Sequence, residues 1–265
     1  GLQAAAEGES VDDILRATGE RVIGAVDHIL SRTMPNDLEV QAADAVAANL
    51  GIVALPPAPD SPETGAVTGL VLPAELASDA QFHFEGYWGF NQGYGRRDVT
   101  KALFDGYDGR SVFPAWDLGA GASMGFRRAV FAQVGLFDER LGAGQSGCSD
   151  DSEYWYRLLH HGWTCRYEPN AVAYHYHRRE DHQLAHQIHQ YMRGHVAALL
   201  VQYERTGRAG NLWRAFWDLP KLYAERWLKL TLKGRRLDSD RFLGQEMRGS
   251  VSGILFYLRA RKPTS

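Results

Sequence analysis

The sequence predicts an α/β fold, a mostly parallel sheet covered by helices on both faces, with a helical region behind it. Three observations carry that expectation. Short apolar runs over 21–26 (RVIGAV), 51–55 (GIVAL) and 65–72 (GAVTGLVL) alternate with stretches of helical spacing. Behind them, helical spacing covers 183–203 and 212–232. The 265 residues are 45% hydrophobic and 23% charged, the composition of a folded chain large enough for one big domain or two modest ones.

Within residues 1–20, Val11, Ile14 and Leu15 share a helical face. RVIGAV reads as a buried strand ending at Asp27 and His28, and residues 37–50 are alanine-rich with helical spacing. GIVAL is a second strand, after which Pro56, Pro57, Pro59 and Pro62 force an extended loop. GAVTGLVL is a third strand, closed by Pro73, and residues 74–85 are predicted helical. Residues 86–117 mix glycine, aromatic and charged side chains without a period, as functional loops do. Small residues over 119–124 precede a short helix over 127–134. Residues 150–161 are helical, with Tyr154 and Leu158 on one face and Gly162 as the stop. Short strands over 165–167 and 171–175 flank Pro169. A long helix spans 183–203, and a last helical region over 212–232 runs into Lys233, Arg235 and Arg236. The expected division is a sheet domain over 1–180 and a helical region over 181–265.

The net charge of −3 offers no basic field for nucleic acid. Two cysteines, Cys148 and Cys165, are too few for a disulfide framework and fit a reducing compartment. No leader is read at the start, and no apolar run approaches the roughly 20 residues of a membrane helix. The expectation is a cytoplasmic protein, free or at the inner face of a membrane. Of the seven Trp, twelve Tyr and eleven Phe, many cluster over 82–104 and 213–227, where they suit either core packing or the stacking of sugar rings.

Three features concentrate chemistry. Asp150, Asp151 and Glu153 open a helix, where acids cap free N–H groups or serve as acid–base groups. His175 and His177 alternate along an extended segment, on one side of it, and suit a divalent metal or a phosphate. Arg178 and Arg179 supply donors for a pyrophosphate. A further set, His182, His186 and His189, shares one helical face and reads as a polar surface or a metal site.

In order along the chain stand GAGASMGFRRAVFAQVG, GLFDERL, DDSEYWYRLLHHG and YEPNAVAYHYHRRE, preceded by GAVTGLVLPAEL and FEGYWGFNQGYGRR. Together, over 65–180, these elements resemble the C-terminal catalytic portion of family-2 glycosyltransferases. The resemblance implies a GT-A-like, Rossmann-type mixed sheet flanked by helices, with a helical C-terminal extension. It implies transfer of a sugar from a nucleotide-sugar donor to a hydroxyl acceptor, a glycan, lipid-linked sugar or small molecule, with inversion. Asp151 falls on the family's general base, with Asp150 shaping its field and Glu153 orienting it or contacting the acceptor. Gly121, Ala122 and Ser123 fall beside the donor, with Arg178 and Arg179 at its diphosphate. Trp88, Asn91, Arg96, Asp138 and Glu139 fall on the acceptor side. His175, with His177 beside it, aligns with a histidine that meets the donor's divalent metal, Mn²⁺ or Mg²⁺, or its diphosphate.

The front of the chain departs from that pattern. Asp27 and His28 take the place of the family's D-x-D metal element, and part of the N-terminal nucleotide-binding half has no counterpart. Three accounts follow: a chain that starts mid-domain, a degenerate homologue, or a second chain that completes the nucleotide site. Two other functions compete with the transferase, a catalytically silent homologue that binds a carbohydrate or a partner enzyme, and a metalloenzyme using His175, His177 and the His182 face. The aromatic and basic helix over 212–236 is expected either to pack on the core or to lie on a membrane beneath a lipid-linked acceptor.

Overall fold

The computed structural model describes residues 38–39, 51–52, 61–107, 109–233 and 237–260. The elements expected over 1–26, the metal candidates Asp27 and His28, and Arg235 and Arg236 lie outside the described residues.

Among the described residues six strands form one mixed sheet: β1 (Leu38–Glu39), β2 (Gly51–Ile52), β3 (Thr64–Pro73), β4 (Arg97–Val99), β5 (Met124–Arg127) and β6 (Thr164–His175). At its centre β3 runs parallel to β6, and β3 is buried from Thr64 through Val71, as a strand covered on both faces must be. β5 and then β1 continue the sheet beyond β3, while β4 and β2 pair with different stretches of the far edge of β6. Every pairing except β3–β6 is antiparallel among the described residues, so the sheet is mixed rather than mostly parallel. Leu38 and Glu39 are extended where helical spacing was expected.

β6 is one strand where two were expected. Its register against β3 shifts between Gly69 and Leu70, which face Glu168 and Val172. Pro169, which has no N–H to donate, falls in that bulge and leaves the ladder without ending the strand.

Helix α1 (Asp79–Trp88) starts five residues later than its apolar pattern suggests, because Ser78 and Gln81 form a reciprocal capping box. Thr100 caps the short α2 (Lys101–Asp105), and α3 (Arg128–Val134) follows β5 directly. α4 (Asp150–His160) drives Tyr154, Trp155, Leu158 and Leu159 into a cluster with Phe104, Phe126 and Val130. α5 (Asp181–Thr206) is the long helix expected. α6 (Gly210–Trp213) passes through a π-helical turn, Arg214–Asp218, into α7 (Leu219–Lys233).

The C-terminal helix α8 (Leu243–Ala260) lies in the helical region expected over 181–265 but was not picked out as an element, because Gly244, Gly249 and Gly253 depress its helical propensity. Two of those glycines make its packing. A Cβ on Gly249 would lie 2.4 Å from the His189 carbonyl oxygen, and one on Gly253 2.5 Å from that of Arg193. One helical turn apart on α8, they meet two residues one turn apart on α5, so the backbones approach without side chains between them. Met192, Val196, Leu199, Leu219, Tyr223 and Leu243 form the helical core, and Val112 and Trp116 from the sheet side pack against it.

Candidate active site

A cavity of about 600 Å³ opens between the sheet and helices α5, α7 and α8. From the sheet side it is lined by Trp88, Phe90, Asp117, the backbone run Gly119–Ala122, the start of α4 and His175. Tyr191 and His195 of α5, Arg214 of the π turn, and Leu219, Leu222 and Tyr223 of α7 close the other side.

The start of α4 is built by unusual backbone. Ser149 has φ 70°, the single positive value outside glycine among the described residues, and it turns the chain sharply into the helix. Gly142, at φ 86°, sits so close that a Cβ would lie 2.9 Å from the Asp150 carboxyl carbon. Asp151 then reaches the Gly119–Ala122 run. Its Oδ2 accepts from the Gly121 N–H at 2.8 Å, and its Oδ1 accepts from the Ser152 N–H at 2.6 Å and the Ser152 hydroxyl at 3.1 Å. Burial, and then the neighbouring Asp150 charge, push the Asp151 carboxyl up to about 6, against the pull of those donors. A group poised there exchanges protons near neutral pH.

At the end of β6, His175 and His177 do meet, their Nδ1 atoms 3.1 Å apart, and His177 Nε2 lies 3.0 Å from Glu85 Oε2. With the Glu85 carboxylate accepting from His177 Nε2–H, His177 Nδ1 carries the lone pair and accepts from His175 Nδ1–H. His175 Nε2 is then the ring nitrogen with a lone pair, on the histidine that lines the cavity. Burial, followed by His177 and Arg178, pushes His175 down to about 4.

The metal expectation meets a sparse donor set. No three His, Cys, Asp or Glu side chains among the described residues are arranged around one metal position. His177 has both ring nitrogens engaged within the protein, which leaves one nitrogen of His175. By themselves these residues do not make a metal site.

Residues 40–197, more than half of the chain, match the family described as glycosyltransferase like family 2. The chain belongs to that family. No curated protein and no solved structure matches it. The mixed sheet flanked by helices, with a helical C-terminal extension, is the GT-A-like architecture expected of a family-2 glycosyltransferase.

In this family-2 glycosyltransferase the cavity gathers Asp150, Asp151, Gly121, Ala122, Trp88 and His175 from the residues singled out in the sequence. Others lie elsewhere. Glu153 is fully buried and grips Arg157 with both oxygens, at 2.5 and 2.9 Å. Asp138 is buried under Arg140 and Arg205, which hold its carboxyl well below the usual range although burial acts against them, and Glu139 beside it is exposed. Arg179 is exposed and paired with Glu75, Arg178 is exposed, and neither lines the cavity. Asn91 closes a turn onto Gly93, Arg96 faces Glu168, and Ser123 is buried behind Ala122 with its carbonyl bonded to the Gly69 N–H.

Among the wall residues that sequence reasoning missed are Trp116, Asp117, His195 and Arg214. Arg214 Nε is buried with no hydrogen-bond partner among the described residues, and its guanidinium carbon lies 5.7 Å from the Trp116 ring centre. Burial, then Arg214, pushes His195 down to about 3, while burial pushes Asp117 up against Arg97 and Arg214. Nothing local in WRAFW sets Arg214 apart from a solvent-facing arginine; only the fold brings it to this wall.

Proposed function

We propose that this glycosyltransferase moves a sugar from a nucleotide-sugar donor to a hydroxyl acceptor with inversion, and that Asp151 is its general base. The observation that carries the reading is the placement of the Asp151 carboxylate in the wall of an aromatic-lined cavity, against the side-chain-free backbone of Gly121. Asp151 takes the acceptor's hydroxyl proton while that oxygen bonds to the anomeric carbon. The bond from that carbon to the nucleoside diphosphate breaks on the opposite face, and its electron pair leaves with the diphosphate. Arg214 supplies the cationic donor for that developing charge, in place of Arg178 and Arg179. Trp88, Phe90 and Trp116 offer ring faces to the sugars. His175 Nε2 accepts a hydrogen bond from substrate, and the expected divalent cation would find this nitrogen there; no step depends on it. Leu222 both lines the cavity and is exposed, and Trp217, Trp227, Leu228 and Leu232 are exposed along the same helical stretch, which suits an acceptor with a hydrocarbon part.

The test is Asp151→Asn, which keeps the shape and removes the base. Transfer should fall about 10²–10⁴-fold. In the wild type kcat/KM should rise with pH through about 6, where the carboxyl ionises, and this limb should vanish in the variant. A titration with UDP and GDP, with and without Mn²⁺, gives the donor side. Full transfer by the variant rejects Asp151 as base, and a wild type that binds no nucleotide leaves a silent homologue.

A further inference from the structure

Away from the active-site cavity, α5 and α8 border a second hollow of about 520 Å³. Arg193, Arg248 and Arg259 line it together with Met247, Val251 and Leu255, and no carboxylate does. Several arginines elsewhere are neutralised in pairs, as Arg157 is by Glu153 and Arg226 by Asp240 and Glu246. None of the three arginines here has an ion pair among the described residues. Arg193 lies with its guanidinium carbon 4.5 Å from the Phe256 ring centre, and its Nε is buried without a hydrogen-bond partner. The one-signed field reaches α5, where His189 is held below its usual value by burial and then by His186, Arg193 and Arg248.

The same edge of α8 is apolar and uncovered. Met247, Val251, Leu255 and Leu258, spaced by four and three residues, are 38%, 59%, 48% and 58% exposed. A free phosphate would satisfy the arginines and leave this stripe in water. A nucleic acid would do the same. A bilayer with anionic headgroups satisfies both, phosphates on the guanidinium groups and acyl chains on the stripe. No described helix is long and apolar enough to cross a membrane, so the contact is one of surface.

We propose that this hollow and the stripe beside it dock the protein on an anionic lipid bilayer, with Arg193, Arg248 and Arg259 taking lipid phosphates. The inference is independent of the chemistry in the other cavity.

The experiment is sedimentation of the full chain with vesicles of phosphatidylcholine alone and of phosphatidylcholine mixed with phosphatidylglycerol. Binding is expected to the mixed vesicles only, weakening as salt rises. Arg248→Gln with Arg259→Gln should lower affinity about fivefold for each arginine removed, and Val251→Asp, at an exposed site, should lower it as well. Circular dichroism and nucleotide titration should match the wild type in both. Equal binding to neutral vesicles, or no binding to either, overturns the proposal. So does wild-type affinity in the double variant, which would move the contact to α7. Release from the vesicles by inorganic phosphate at constant ionic strength would assign the arginines to free phosphate instead.

Discussion

Asp151 and Glu153 stand two residues apart on one helix and have opposite surroundings. Each residue of an α-helix turns the chain by about 100°, so two steps carry a side chain to nearly the opposite side. Asp151 enters the cavity wall, while Glu153 is driven into the interior and neutralised by Arg157. The acidic triplet is visible in the sequence, and this division follows from it once the helix is assigned. Arg214 is the reverse case, silent in its local sequence and prominent in the fold. Replacing it, as Arg214→Gln, should weaken binding of a nucleoside diphosphate about tenfold, the worth of a charged hydrogen bond. Calorimetric titration with UDP and GDP checks this, and undiminished affinity would remove Arg214 from the donor side. Arg178 and Arg179, expected at the diphosphate, do not line the cavity, because adjacency to His175 in sequence carries no information on direction: β6 ends at His175, and neither arginine beyond it reaches the wall.

Among elements, legibility follows length and capping. β3, α4 and α5 announce themselves by long apolar patterns with clear stops, and α4 ends within a residue of where Gly162 predicts. β4 and β5, three and four residues long, are too short to show a period of two. α8 escaped because the glycines that weaken its signal are those that let it pack. Its seam with α5 is therefore a sharp test. Gly253→Ala places a methyl 2.5 Å from the Arg193 carbonyl oxygen, where backbone must yield, and should cost about 1–3 kcal/mol by overpacking. Gly244→Ala, with nothing near its Cβ position, should be neutral or stabilising. Denaturant midpoints compare the two, and equal midpoints would mean that the seam is loose.

At the scale of the whole molecule, burial of imidazoles sets the response to acid. His83, His160, His175, His189 and His195 are all held below their usual value, with burial the foremost cause in each. In the unfolded chain they take up protons near pH 6.5 while the native state does not, so stability is full above that value and lost as pH falls through it. Asp151, raised to about 6, and Asp117 and Glu153, also raised by burial, pull the other way, but they are three groups against five. The urea midpoint should accordingly be lower at about pH 6 than at about pH 7.5, and an unchanged or higher midpoint would contradict this balance. Nothing in the sequence announced which histidines are enclosed, since their enclosure depends on contacts between the sheet and helices far along the chain. The cavity itself has that divided parentage. Its carboxylate comes from residue 151, but Arg214, Tyr223 and Glu246 close it from the last quarter of the chain. A nascent chain thus holds the base in an open basin, and gains a sheltered chamber only once the helices that carry Arg214, Tyr223 and Glu246 have been made.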